Sequence, residues 1–232
     1  MDSTADLRAL FRSRHPLLVV AADDEERLLT LLRAVADAAR LPVWTWTAAR
    51  GLARDGMAPQ YRTADPRTAL AFVADLTAPG VFVFCDAQML CADPVALRAV
   101  KDAARAADPG QTIVLAGPGL AVPPELKGAA LPWALQPPTD DEIATLVRTT
   151  IADLAARGLA AETGPEVEAG LVEALRGLTL ADAQALLQRT VLQDGRLTAE
   201  DLPHLRAAKM ELLDSDGVLE LVPATATLDG VA

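Results

Sequence analysis

Leu17-Leu18-Val19-Val20-Ala21-Ala22 runs directly into Asp23-Asp24-Glu25-Glu26-Arg27-Leu28-Leu29. An apolar run of that kind is a core strand, and the acidic stretch after it opens a capped helix. A buried strand feeding a helix commits the chain to a layered α/β fold. Where such a junction holds phosphate, it is a Gly-rich loop with a Lys, and its N–H groups cradle the anion on the helix N-terminus. Here the same place holds four carboxylates, with no Gly and no Lys. Carboxylates satisfy the free N–H groups and the dipole of a helix start by themselves, and they repel a triphosphate. The junction therefore argues against catalysis and for a scaffold or interaction role.

The rest of the first half repeats the alternation. A short amphipathic helix over 6–13 precedes the first strand at 16–22, and a helix follows over 24–40 with Leu28, Leu31, Leu32 and Val35 on one face. Val43-Trp44-Thr45-Trp46-Thr47 is a second strand, followed by a Gly-containing loop over 48–64. Asp65 and Asp93 each cap a helix with Pro at its first position, Pro66 and Pro94. Between those helices, 80–85 is an unbroken apolar run ending in Cys85, and 112–116 and 131–135 are further strands, the last shortened by Pro132. Strands alternating with helices of this length predict a parallel sheet with helices on both faces.

After Gln136-Pro137-Pro138 the pattern becomes helical. Thr139 and Glu142 form a capping-box pair, Gly164-Pro165 opens a second helix, Thr179 caps a third and Thr198 a fourth. No strand is predicted here before 218–222. The expected organisation is an α/β domain over 1–136, a small all-helical subdomain over 137–217, and a linker over 218–232.

Composition narrows the partners. The net charge of -11 lacks the basic footprint that nucleic acid needs, and it is wrong for an anionic membrane surface. No apolar run approaches the roughly 20 residues that span a bilayer, and the acidic start Met1-Asp2-Ser3-Thr4-Ala5-Asp6 has no signal-peptide core, which makes the cytoplasm the expected location. With 3% aromatic residues and abundant Ala and Leu, the helices are expected to pack closely on the sheet. Cys85 and Cys91 are expected to be ordinary free thiols, because His15 and His204 are distant in sequence and the ligand count is too low for a metal.

A parallel sheet followed by a four-helix lid resembles the layout of an AAA-family ATPase module. Leu175-Arg176-Gly177-Leu178-Thr179-Leu180-Ala181-Asp182-Ala183-Gln184 resembles the lid motif of Gly-Leu-Thr, two residues, Glu-Ala, and Leu197-Thr198-Ala199-Glu200-Asp201-Leu202 resembles the entry to the last lid helix. Arg14-His15-Pro16-Leu17, Trp44-Thr45-Trp46-Thr47 with Arg50-Gly51-Leu52, Ile113-Val114-Leu115 and Val122-Pro123-Pro124-Glu125-Leu126 are similar to one group of these proteins, the AAA ATPases of bacteria and plastids called hypothetical chloroplast reading frame proteins. The likeness is to their N-terminal half, a degenerate AAA-like module. It implies that ATP and magnesium belong to a second module, beginning after Ala232, and that no cofactor is held by this segment. It also implies a homo-oligomeric ring, formed by the full-length protein, with an unidentified protein client.

The candidate site residues follow from position. Asp23, Asp24, Glu25 and Glu26 replace the phosphate loop; they are read as caps and solvated charge, with a divalent cation as the sharper alternative. Asp86 follows the strand 80–85, where an AAA ATPase carries a metal-holding acid, but Ala87 and Gln88 stand where a second acid belongs, so Asp86 is read as a relic or a cap, with a metal ligand as the sharper alternative. Arg50, with Arg54 and Arg62 in the same loop, is a candidate interaction group, since loops at the carboxyl end of a parallel sheet gather ligands. Trp44 and Trp46 point to one face and are read as core, or as a partner-facing pair if their strand lies at the sheet edge. No nucleophile elbow is present, and Pro118 in Gly117-Pro118-Gly119 removes a donor that a phosphate loop needs.

Three functions are open at this point. The first is a non-hydrolysing AAA-like module serving assembly, substrate capture or regulation of an ATPase module. The second is a nucleotide-using enzyme without a phosphate loop, built on Asp86 and the Arg50 loop. The third is a free-standing adaptor, such as a receiver with Asp23, Asp24 and Asp86 as its acidic pocket. A receiver also needs a Lys after its fifth strand, and 131–138 has none.

Overall fold

The computed structural model describes residues 3–161 and 164–215. The chain divides into two compact units, Met1–Gln136 and Pro137–Ala232.

In the first unit, α1 (Ser3–Arg12) leads into β1 (Leu17–Ala21), α2 (Glu25–Ala38), β2 (Val43–Thr47), β3 (Gly51–Arg54), α3 (Pro66–Asp75) and β4 (Gly80–Phe84). A short α4 (Ala87–Cys91), α5 (Pro94–Ala106), β5 (Gln111–Gly117), a 3-10 turn at Pro124–Leu126 and β6 (Leu131–Ala134) complete it. The strands lie in the order β3-β2-β4-β5-β1-β6, and all neighbours are parallel except β2 and β3.

Side-chain alternation explains the layering. Leu17, Val19, Trp46, Phe82, Phe84, Ile113 and Leu115 enter one core with α3 and α5. Leu18, Val20, Val43, Val81, Val83 and Val114 enter another with α1 and α2. Both faces of the sheet are thus covered, as continuous apolar strands require. Burying each Phe or Leu side chain contributes about 1.5–3 kcal/mol. Trp44 and Trp46 belong to the first core: Trp46 is buried with its ring tilted against Phe84 at 5.6 Å, and Trp44 lies 5.7 Å from Phe72 and stacks on Phe82 at 6.0 Å. Their strand is not at the edge, so they are no partner-facing pair.

The edge is β3, and it corrects the expectation of a plain loop over 48–64. It returns antiparallel to β2, with Trp44 opposite Arg54 and Thr47 opposite Gly51. Gly51 has φ +78, and a Cβ there would meet Thr63 Oγ1 at 2.7 Å and the Ala64 backbone nitrogen at 2.9 Å. Glycine is required on both counts. The segment after β3 folds along its outer rim: Gln60 N–H donates to Leu52 O (2.8 Å), and Leu52 N–H donates to Thr63 Oγ1 (2.8 Å). The Trp46 indole N–H donates to Thr63 O (2.7 Å), which ties the rim to the core. The edge strand is sealed by its own loop, and at the opposite edge Pro132 removes an N–H from β6.

The second unit is α6 (Asp140–Ala156), α7 (Pro165–Leu175), α8 (Leu180–Asp194) and α9 (Leu202–Ser215), around a core that includes Ile143, Val147, Leu171, Leu175, Leu187 and Leu205. Thr139 and Glu142 make the reciprocal capping box at α6, and Thr179 Oγ1 accepts the Asp182 N–H (3.0 Å) at α8. The unit is not purely helical. β7 (Ala160–Ala161) pairs in parallel with β8 (Arg196–Leu197), a two-residue ladder too short to leave a periodic signal. The strand suggested at 218–222 and the linker at 218–232 lie outside the described residues. No helix among the described residues is long and apolar enough to cross a membrane.

Candidate functional site

In an open α/β sheet, ligands bind outside the carboxyl ends of the strands, where the strand order reverses. Here that place is the end of β1, flanked by β5 and β6. Asp24 is the N-cap of α2, and its Oδ1 accepts the Arg27 N–H at 2.9 Å, while its Oδ2 is buried with no hydrogen-bond partner. Asp23, Glu25 and Glu26 are exposed around it. One acid of the four thus caps by side chain, and the others lend charge to the dipole.

The residue that fills the junction is Arg27, which the sequence does not mark out beyond its place after the acids. It is buried at 7% exposure, and its guanidinium Nη1 donates to the main-chain oxygen of Gln136 at 2.6 Å. Leu135 N–H donates to Ala21 O at 2.9 Å beside it. The exit of β6 is therefore fastened both to the end of β1 and to the first turn of α2.

The neighbouring strand ends are closed as well. After β4, Cys85 is buried, and burial together with the adjacent Glu25 carboxylate pushes its thiol up to about 12. Cys91 is half-buried, and its thiol is raised by burial and by Glu125. Asp86 is exposed in the left-handed region (φ 53, ψ 35) and precedes α4 without a side-chain capping bond, so it does not act as the hydrogen-bonding cap that its position suggests. Gln88 bends back instead: its Nε2 donates to Pro118 O at 2.9 Å. A Cβ on Gly117 would lie 2.3 Å from the Gln88 Oε1, so Gln88 lies flat on the end of β5 because residue 117 is glycine.

The three arginines do not converge on this place. Arg50 occupies the turn between β2 and β3, Arg54 ends β3, and Arg62 (φ 63) lies over the Tyr61 ring at 5.3 Å. Arg54 is therefore on a strand and not in the loop expected for it. At roughly 4.8 Å per strand, β3 stands about 19 Å from β1, so the arginines form a separate rim. Among the described residues, no group of three or more His, Cys, Asp and Glu side chains could hold a metal ion.

Chemically, the strand ends carry carboxylates, a neutral thiol and an arginine already engaged with a backbone oxygen. At the start of α2 the Asp24 carboxylate already takes the Arg27 N–H, and Asp23, Glu25 and Glu26 set negative charge around the remaining ones.

A chain of the E. coli MS115-1 HORMA:CdnC:Trip13 complex is similar in structure, with a TM-score of 0.56 and 16% identity, over 90% of this chain and 78% of that one. C. elegans PCH-2 is similar at a TM-score of 0.56 and 11% identity, over 93% of this chain and 68% of that one. Identities this low carry the fold alone. The family models are more specific: residues 3–131 match the SpoVK-like AAA ATPase N-terminal domain, and 141–216 match the SpoVK-like AAA ATPase second domain. With both domains matched in order over most of its length, the chain belongs to the SpoVK-like AAA ATPases.

Proposed function

We propose that this chain is the non-hydrolysing front part of an AAA-family ATPase, serving assembly, partner capture or regulation of an ATPase module that lies beyond Ala232. The observation that carries this is the β1–α2 junction. Where a phosphate loop would stand, Asp24 takes the helix N–H, and the buried Arg27 side chain holds Gln136 O. A nucleotide phosphate would have to displace both and face Asp23, Asp24, Glu25 and Glu26. The exposed, left-handed Asp86 is followed by Ala87 and Gln88, with no second acid directly after it to share a magnesium ion, which weighs against the enzyme reading.

On this proposal ATP and magnesium act in the later module, and the full-length protein assembles as a homo-oligomeric ring in the cytoplasm. The partner is a protein, not nucleic acid or a membrane. The complex of Trip13 with a HORMA protein supports that choice by analogy of fold. The motifs around Arg14, Trp44 and Pro123 favour the hypothetical chloroplast reading frame type within the family. Titration of the chain with a fluorescent ATP analogue and Mg²⁺ tests the proposal. No saturable binding up to millimolar nucleotide is expected, and a micromolar Kd would overturn it.

A further inference from the structure

Resting on the partner-capture reading, the geometry points to the outer rim of β3 as a docking surface for an acidic segment of another protein that carries an apolar anchor. Arg50, Arg54 and Arg62 are all exposed there, and none makes an ion pair among the described residues. The acids nearby are already matched: Asp55 pairs with Arg33 of α2 (2.8 Å), and Asp65 pairs with Arg67 (3.1 Å). Three positive charges are therefore left without an ion-pair partner around β3, on a unit whose 14 Lys and Arg, these three included, stand against 15 Asp and Glu.

Two exposed apolar side chains share the rim. Tyr61 is 83% exposed and Met57 is 58% exposed. Backbone bonds fix their places: Met57 N–H donates to Arg54 O (2.9 Å), and Gln60, just before Tyr61, donates to Leu52 O. Arg62 lies over the Tyr61 ring, so one charge and one aromatic surface are presented together. Tyrosine and arginine are the residue types on which interface energy concentrates.

The same bonds say how a partner is read. The outer N–H and C=O of Leu52 are taken by Thr63 and Gln60, so an added strand finds no ladder at that residue. Recognition is by side chains: carboxylates to the three guanidinium groups, and an aliphatic or aromatic residue against Tyr61 and Met57. Nucleic acid is disfavoured by the total charge of -11. The second unit of another copy is the other acidic candidate. Several of its acids are already engaged, Asp140 with Arg176, Glu168 with Arg148 and Glu173 with Arg206.

The probe is a short fluorescein-labelled peptide of Asp and Glu residues with one Phe, read by anisotropy against the whole chain. Its control has Asn and Gln in place of the acids. The expected result is saturable binding of the acidic peptide that weakens with salt, at least tenfold weaker binding by the Arg50→Glu/Arg54→Glu/Arg62→Glu variant, and about fivefold weaker binding by Tyr61→Ala. All four side chains are exposed, so circular dichroism and the thermal midpoint of each variant should match the parent. Equal binding of the control peptide, or equal binding by the triple variant, overturns the proposal. So does tighter binding of a single-stranded oligonucleotide. Loss of self-association in the triple variant without loss of peptide binding also overturns it, in favour of a second copy. Nucleotide titration separates this test from the preceding one: a chain that binds ATP and also captures the peptide through these arginines refutes the proposed function and leaves the rim intact.

Discussion

Replacing Arg27 by Met tests whether the filled junction holds the first unit together. The substitution keeps the length of the stem and its apolar packing and removes every donor. The lost bond runs from a charged donor to Gln136 O at 2.6 Å, in a side chain exposed at 7%. A hydrogen bond of that kind contributes about 1.5–3 kcal/mol, and a carbonyl left without a partner costs about 1–3 kcal/mol. The two figures describe the same event from its two ends, so the expected loss is about 2 kcal/mol. With a urea dependence of about 2 kcal/mol per molar, the midpoint should fall by about 1 M. All three tryptophans, Trp44, Trp46 and Trp133, lie in the first unit, so their fluorescence follows this unit alone. The Leu135 amide, bonded to Ala21 O beside the lost contact, should also exchange faster with solvent. Arg27→Lys should fall between the two. A midpoint within about 0.2 M of the parent, with Leu135 exchange unchanged, would refute the reasoning.

Gly51→Ala should lower stability by about 3 kcal/mol or leave the chain unfolded, because a Cβ meets Thr63 and Ala64 below 3.0 Å at a positive φ; thermal unfolding checks it, and a loss under about 1 kcal/mol would mean that the rim yields easily. Asp86→Gly should leave stability unchanged or raise it by up to about 1 kcal/mol, since it relieves a left-handed residue that makes no capping bond. A clear loss on chemical denaturation would show that the Asp86 carboxylate makes a contact that matters. For Cys85, the folded thiol titrates near 12 against an ordinary value of 9.0. The unfolded chain therefore loses that proton first. Its contribution is fully present below about pH 9 and is lost as pH rises toward about 12. Stability measured by urea at rising pH should fall across that window, and Cys85→Ala should flatten the slope; an unchanged slope in the variant would assign it to other groups.

The sheet was legible wherever burial on both faces leaves a continuous apolar run. Val81, Phe82, Val83 and Phe84 feed two cores alternately, and no polar residue interrupts them. Caps were legible too, because Asp65, Asp93, Thr139 and Thr179 bond to N–H groups two or three residues away. What escaped depends on distant partners. β3 has one large apolar residue, Leu52, and exists because β2 and the 60–63 loop hold its two edges. The β7–β8 ladder is two residues long. Arg27 reads as an ordinary first-turn residue until residue 136, which is 109 positions later, comes to lie beside it. Of the candidate site, the acidic junction could be read directly. The separation of the arginines from it could not, because that distance is set by strand order, which local pattern does not encode.

The place of β1 has a consequence for how the chain is made. Leu17 pairs with Ile113 and Leu18 pairs with Leu131, so the first strand of this sheet waits for the sheet's last two to flank it. At about 5–20 residues per second, a ribosome needs roughly 6–20 s to reach those partners. During that time Leu17-Leu18-Val19-Val20 has both backbone edges unpaired. Four carboxylates at its carboxyl end put like charges beside the bare strand, and charge at an exposed strand edge disfavours pairing with another chain.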